Sequence, residues 1–285
     1  MTSILQCPVC RKPMRLSAGG YQCPVLHSFD AARQGYVNLL LANKKHSKEP
    51  GDDQGMILSR RRFLDLGYYD RVSDTINETV GTAFSGLRGS SACSLLDAGC
   101  GEGFYLQRLK AALAHGNHVD LPIDYHGVDV SKFAVRQATQ RDRGMAWFVA
   151  SINDLPFLDG SLDLVLSVFS PVNIPEFARI LKPTGRLVFA GPGPRHLNGL
   201  REIIYPVTRE HAESSITEKA QGLFSPATVV RSNYPLELKS NQEIMDLLAM
   251  TPYYWNIDQP TKAKVAALDR LALDVDVEIR VFTKK

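Results

Sequence analysis

A chain of 285 residues has room for one good-sized domain and a small one. Its 33 basic and 30 acidic residues leave a formal charge of +3, so overall charge does not single out a nucleic-acid partner and any such surface must be local. No apolar run approaches the roughly 18 residues of a membrane span, and the N-terminus lacks a signal-peptide pattern. Five cysteines, three of them within the first 23 residues, do not read as a disulfide framework, and the expectation is a soluble, cytoplasmic protein.

In chain order, the first signal is Cys7-Pro8-Val9-Cys10 and, twelve residues on, Cys23-Pro24-Val25-Leu26-His27. Zinc takes four thiolate or imidazole donors in a tetrahedron, and each short pair supplies two of them from one knuckle. Cys7, Cys10, Cys23 and His27 are therefore the expected ligands. A closed shell of four leaves no place for water, so the metal is expected to be structural. Against this stands a reading as free or redox-active cysteines, and His46 is the only nearby substitute for the imidazole. Residues 11–22 are hairpin-sized, with Gly19-Gly20 as the turn. From Lys44 to Arg62 there are six basic residues and three acids. Beside a zinc module that excess suits a phosphate backbone, and it suits a solvated loop and helix face equally well. Pro50-Gly51-Asp52 reads as a turn and residues 54–66 as a helix.

The centre of the chain is residues 94–105, an apolar strand that breaks into Gly99, Gly101 and Gly103 before a helix. Glycines at such a turn let the backbone approach a bound nucleoside and adopt dihedrals that other residues avoid. A second strand, 125–130, places Asp129 at its tip, where a carboxylate accepts from both ribose hydroxyls; the other reading of Asp129 is an acid ahead of the helix that starts at Ser131. A third strand, 146–150, leads to Asp154, which either accepts from an adenine amino group or is an exposed turn acid. Strands at 161–169 and, after a helix end and turn, within 181–189 complete an alternation of strands and helices. That pattern means a parallel sheet with right-handed crossovers and a ligand at the carboxyl ends of its strands. Beyond residue 205 the pattern is weaker: charged and helix-capable at 209–219, strand-like at 224–238, an amphipathic helix at 240–250, and an aromatic turn at 251–255. Residues 271–283 alternate as a final antiparallel strand should. Tyr253, Tyr254 and Trp255 either stack on an extruded base or partly fill the core.

The series D-x-G-C-G-E-G, G-V-D-V-S, D-L-P-F, S-x-D-L-V and L-K-P-x-G-R-L resembles the Rossmann-like S-adenosylmethionine-dependent methyltransferases. With C-P-x-C…C-P-x-x-H-x-F-D-x-A-x-x-G-Y-V-N-L-L, K-x-x-x-P-G-D and R-R-x-F-L-x-x-G-x-Y ahead of it, the whole chain resembles the RlmA family, bacterial 23S ribosomal RNA (guanine-N1-)-methyltransferases. The resemblance implies an α/β fold in three parts: a zinc-binding RNA-recognition domain at 1–40, a basic linker with helices at 41–88, and a methyltransferase domain at 89–285. It implies structural zinc, S-adenosylmethionine as cofactor, a hairpin of 23S ribosomal RNA as partner, and a homodimer. It also implies cofactor contacts at Tyr69, Gly101, Glu102 and His196, beside Asp97, Gly99, Asp129 and Asp154 of the loop and strand ends. Ser170 departs from the family's Ala-Pro, which leaves backbone shape, set by Pro171, as the contribution there. No residue identifies itself as a general base. Two other readings are a small-molecule methyltransferase whose finger is purely structural, and a non-catalytic RNA-binding assembly factor.

Overall fold

The computed structural model describes residues 3–44, 50–85, 92–115, 122–205, 216–226 and 228–285. At the N-terminus β1 (Arg15–Ser17), β2 (Gly20–Gln22) and β3 (Ser28–Asp30) form a small antiparallel sheet. The hairpin turn is Ala18-Gly19, and Gly20 already pairs within β2. The shift has a steric cause: a Cβ on Gly20 would overlap the Phe29 carbonyl and stand 2.9 Å from the Ala31 nitrogen, so β3 can pack there only against glycine.

β4 (Val37–Asn38) leaves this unit and joins the main sheet. Two helices follow, α1 (Gln54–Asp65) and α2 (Asp70–Ser85). Asp53 caps α1 by accepting from the Met56 N–H at 2.9 Å. Then β5 (Cys93–Ala98), α3 (Phe104–His115), β6 (Ile123–Asp129), α4 (Lys132–Arg141) and β7 (Ala146–Val149) run outward. The chain returns through β8 (Leu162–Val168), α5 (Ile174–Ile180) and β9 (Leu181–Pro192). Two short helices, α6 (Leu200–Ile204) and α7 (Ile216–Ala220), precede β10 (Thr228–Leu238). After α8 (Asn241–Ala249), α9 (Tyr253–Asn256) and α10 (Gln259–Ala266), the chain ends in β11 (Leu271–Thr283). The expected helix at 209–219 lies partly outside the described residues, and the expected aromatic turn is the short helix α9.

The main sheet has the order β10-β11-β9-β8-β5-β6-β7-β4; strands from β4 to β9 are parallel, and β11 and β10 are antiparallel additions. Because β6 and β7 leave β5 on one side and β8 and β9 on the other, their connections diverge at the carboxyl ends of β5 and β8. Sheets of this kind take their ligand at that point. Successive residues of the central strands point to opposite faces, so Leu95 enters an apolar layer with α1, α2, α3 and α8, while Leu96 enters the layer with α5 and α7. Leu5, Cys7, Met14 and Cys23 belong to that second layer, so the N-terminal unit packs directly on the sheet. Backbone bonds fasten it: Gln6 N–H donates to the Pro156 carbonyl and Leu158 N–H to the Ile4 carbonyl, both at 2.9 Å.

Gly127, in the middle of β6, lets Trp147 of β7 lie flat across the strand. A Cβ there would be driven into the indole ring and stand 3.1 Å from Cys100 Sγ. Gly127→Ala is expected to destabilise the protein by about 1–3 kcal/mol through overpacking, read as a lower urea midpoint at unchanged slope.

Candidate active site and metal centre

At the carboxyl end of β5 the chain turns through Gly99, whose φ of +87° is left-handed and whose missing side chain leaves room for Ser170. The Gly99 and Cys100 N–H groups donate to the Val128 carbonyl at 2.8 and 3.0 Å. Asp129, at the end of β6, accepts from the Gly101 N–H at 2.9 Å through Oδ2 and from the Ser131 N–H at 2.8 Å through Oδ1. One carboxylate thus shapes the glycine loop and opens α4, leaving its remaining lone pairs for a ligand. Burial pushes its pKa up despite these donors.

Asp97 is buried beside it, and its Oδ1 has no partner among the described residues. Burial, then the neighbouring Asp129 charge, pushes its pKa from the usual 3.8 to about 8. Glu102 is also buried. One oxygen is paired with Arg141 Nε of α4, while Oε1 has no partner among the described residues. Arg141 in turn reaches Asp65 of α1 at 2.7 Å. Two buried, unmatched carboxylate oxygens beside a glycine loop fit a ligand rich in hydroxyl and amino donors, as a nucleoside linked to an amino acid would be.

Facing the loop is an aromatic wall. Tyr69 is buried, and its Oη lies 3.4 Å from His196 Nε2. His196 Nδ1 accepts from the Asp276 N–H at 3.2 Å, so Nε2 carries the ring hydrogen in the neutral form. Phe169, just past β8, stacks on His196 with ring centres 5.4 Å apart. Asp276 of β11 is the organiser of this corner: its carboxylate takes the Arg195 N–H and Arg231 Nε, each at 2.9 Å, and its carbonyl takes the Gly193 N–H at 2.8 Å. In the sequence Asp276 looks like one more polar position of an alternating strand, and only the fold buries it.

Asp154 follows β7, and its carboxylate is held by Arg11 at 2.6 Å. The three arginines of α1 also find internal partners. Arg60 pairs with Asp52 at 2.6 Å, Arg61 donates to Gln137 at 2.8 Å, and Arg62 pairs with Asp246. Arg60 Nη1 stands 3.6 Å from where a Gly101 Cβ would be, over the glycine loop. Lys45, His46 and Lys48 of the basic stretch lie outside the described residues.

The donor atoms of Cys7, Cys10, Cys23 and His27 all fall within 4.8 Å of one another. Cys10 and Cys23 sulfurs are 3.6 Å apart, and His27 Nδ1 is 3.6 Å from Cys7 Sγ and 3.4 Å from Cys23 Sγ. Bonds of about 2.3 Å to sulfur and about 2.0–2.1 Å to nitrogen in a tetrahedron give edges of roughly 3.5–3.8 Å. The donor set fits zinc. Each knuckle is closed by a backbone bond, Arg11 N–H to Cys7 O and Leu26 N–H to Cys23 O, both at 2.9 Å, with Arg11 and Leu26 in the left-handed region.

A parallel sheet with this switch point, glycine loop and acid-tipped second strand, joined to a Cys3His ribbon, defines an S-adenosylmethionine-dependent methyltransferase with a structural zinc module. Residues 5–48 match the family model of the RlmA N-terminal zinc ribbon, and residues 96–189 that of a methyltransferase domain. The chain is 31% identical to the Bacillus subtilis protein named "Putative 23S rRNA (guanine-N(1)-)-methyltransferase YxjB", over 99% of this chain and 98% of that one. It is 32% identical to the 23S rRNA (guanine(748)-N(1))-methyltransferase of Streptomyces fradiae, over 91% of this chain and 89% of the other. The chain belongs to the RlmA family of 23S ribosomal RNA (guanine-N1-)-methyltransferases.

Two outcomes follow from this geometry. Chelation, or Cys23→Ala, is expected to remove stoichiometric zinc and open residues 3–30 to protease, as read by metal analysis and limited proteolysis. An acid whose pKa is raised by folding makes stability fall as pH rises between its unfolded and folded values. For Asp97 that window runs from 3.8 to about 8, with a slope of at most about 1.4 kcal/mol per pH unit. In ligand-free protein Asp97→Asn is therefore expected to have a higher Tm than the parent, by a margin that widens from about pH 5 to about pH 8 in calorimetry.

Proposed function

We propose that this protein transfers the methyl group of S-adenosylmethionine to N1 of a guanosine in a hairpin of 23S ribosomal RNA. The observation that carries the reading is the ribbon packed on the same sheet whose strand ends form the cofactor crevice, in a chain related over nearly its whole length to enzymes named for that reaction. The proposed division of labour assigns residues 1–40 to zinc binding and RNA recognition, 41–88 to a basic linker and helices leading into the core, and 89–285 to the methyltransferase chemistry. A homodimer working in the cytoplasm, where ribosomal RNA is made, completes the proposal. Among the described residues no helix is long and apolar enough to cross a membrane.

S-adenosylmethionine supplies an electrophilic methyl carbon on a sulfonium. The residues of this chain bind, orient and exclude water. Asp129 accepts from the ribose hydroxyls while its other lone pairs hold Gly101 and Ser131. Asp97 and Glu102 turn their unmatched oxygens to the cofactor's donors, with the loop glycines giving close backbone approach. Tyr69 and His196 close the opposite side. His196 has Nδ1 taken by the Asp276 N–H and Nε2 by Tyr69, which suits it to hold position rather than to abstract a proton. Asp154 is proposed as an adenine ligand that shares its carboxylate with Arg11 of the ribbon. Guanine N1 carries a proton that must leave as the new bond forms, and an in-line displacement depends on alignment, so positioning supplies much of the rate.

The test is transfer of labelled methyl to unmodified 23S ribosomal RNA, followed by digestion to nucleosides. Label in 1-methylguanosine is the expected result; label in another nucleoside, or in a small-molecule acceptor alone, overturns the reading. In the same assay Asp129→Ala is expected to weaken cofactor binding roughly 10- to 100-fold, because charge-assisted hydrogen bonds are lost.

A further inference from the structure

Phe169 is a large aromatic that the fold leaves partly exposed at the carboxyl end of β8. It directly follows β8, its φ is +49°, and 39% of its surface is exposed. A bulky side chain at positive φ is strained, and such strain persists only where the surroundings over-determine it. Here they do. The Phe169 N–H donates to the Ala190 carbonyl at 2.9 Å. The next residue, Ser170, donates its hydroxyl to the Ala98 carbonyl at 2.7 Å, meets Ser167 Oγ at 2.9 Å, and fills the space that Gly99 leaves open. The turn carrying Phe169 is thereby locked to the glycine loop itself.

The ring's position agrees with a use outside the core. It stacks on His196 at an interplanar angle of 26°, and its centre is 6.1 Å from Tyr69 and 6.5 Å from Tyr105. It therefore stands at the rim of the cofactor crevice, backed by an imidazole that is itself fixed by Asp276. A guanine whose N1 is to be alkylated must leave its stack and be held flat with its edge toward the methyl carbon. Aromatic faces serve that purpose for unstacked bases. We propose that Phe169 is the platform on which the acceptor guanine stacks, so that its strained backbone sets the height of N1 against the methyl donor. The inference rests on the RNA-methyltransferase reading above and names the contact through which that site takes its base.

The experiment compares the full-length protein with Phe169→Leu, Phe169→Trp and Phe169→Asn, measuring cofactor Kd by calorimetry and kcat and KM for 23S ribosomal RNA at saturating cofactor. The expected result is a roughly 10- to 100-fold lower kcat/KM for RNA in the Leu variant, with cofactor Kd within about twofold of the parent, and recovery to within a few-fold in the Trp variant. Asparagine accepts the left-handed backbone without strain, so Phe169→Asn keeps the fold even if leucine does not, and the same loss is expected from it. A Leu variant that methylates RNA as well as the parent overturns the proposal and leaves the RNA reading standing. A loss that tracks cofactor Kd and vanishes at saturating cofactor also overturns it, since Phe169 would then belong to the cofactor wall. A parent protein that forms no 1-methylguanosine overturns the RNA reading and this inference together.

Discussion

The Asp129 carboxylate is the contact on which the rest of the site depends. It takes the Gly101 N–H on one oxygen and the Ser131 N–H on the other, and Ser131 passes its hydroxyl to the Asp52 carbonyl at 2.9 Å. Asp52 pairs with Arg60, which stands over the glycine loop. A ring of contacts therefore joins the end of β6, the loop after β5, the start of α4 and the segment leading into α1. A buried carboxylate is costly unless its oxygens meet donors. Here the donors are backbone groups of the glycine loop and the start of α4, so the requirement to satisfy the charge and the requirement to shape the loop are met by one arrangement.

The corner opposite works in the same way with a different acid. Asp276 lies on the antiparallel strand β11, far along the chain from the loop it shapes, and gathers Gly193, Arg195 and His196 from the turn after β9. Gly193 has to be glycine, because a Cβ would stand 2.6 Å from the Asp276 carboxyl carbon. His196 is thus held through Nδ1, with Tyr69 at its Nε2 edge and Phe169 stacked on its face. The added strands β10 and β11 extend the sheet, and through Asp276 they also set the aromatic wall of the crevice.

The ribbon is coupled to this machinery by packing and charge. Cys7 and Cys23 are buried in the same apolar layer as Leu96 and Phe148, and Arg11, immediately after the first knuckle, holds Asp154. The two knuckles that would hold the metal are turns closed by backbone bonds, with Arg11 and Leu26 in the left-handed region. Loss of the metal would free Arg11, and with it the loop that follows β7. A groove of about 420 Å³ between the two units, lined by Gln6, Arg11, Lys44 and Arg179 together with four acids and amides, follows the seam.

What the sequence determined by itself is what depends on short spacing. The four zinc donors sit in two knuckles of a few residues each, and the strand–glycine loop–helix unit around Gly99 to Gly103 is equally local. The alternation of β5 through β9 with helices then constrained the sheet order, because right-handed crossovers admit few alternatives. Tertiary structure decided the rest. Arg60, Arg61 and Arg62 suit a phosphate backbone or a solvated helix face equally in one dimension, and the fold gives each an internal partner, Asp52, Gln137 and Asp246 in turn. Phe169 reads as the last apolar residue of a buried strand, and it is left partly exposed where Ser170 bonds Ala98 across the switch point. Asp276 reads as one more polar position of an alternating strand, and the fold buries it where β10 pairs beside β11 and Arg231 reaches across to it. Apart from Asp52, which lies close to Arg60 in the chain, the deciding partners lie dozens of residues away or more. The chemistry of a side chain is written locally, whereas the direction in which it is spent depends on which distant backbone the fold lays beside it.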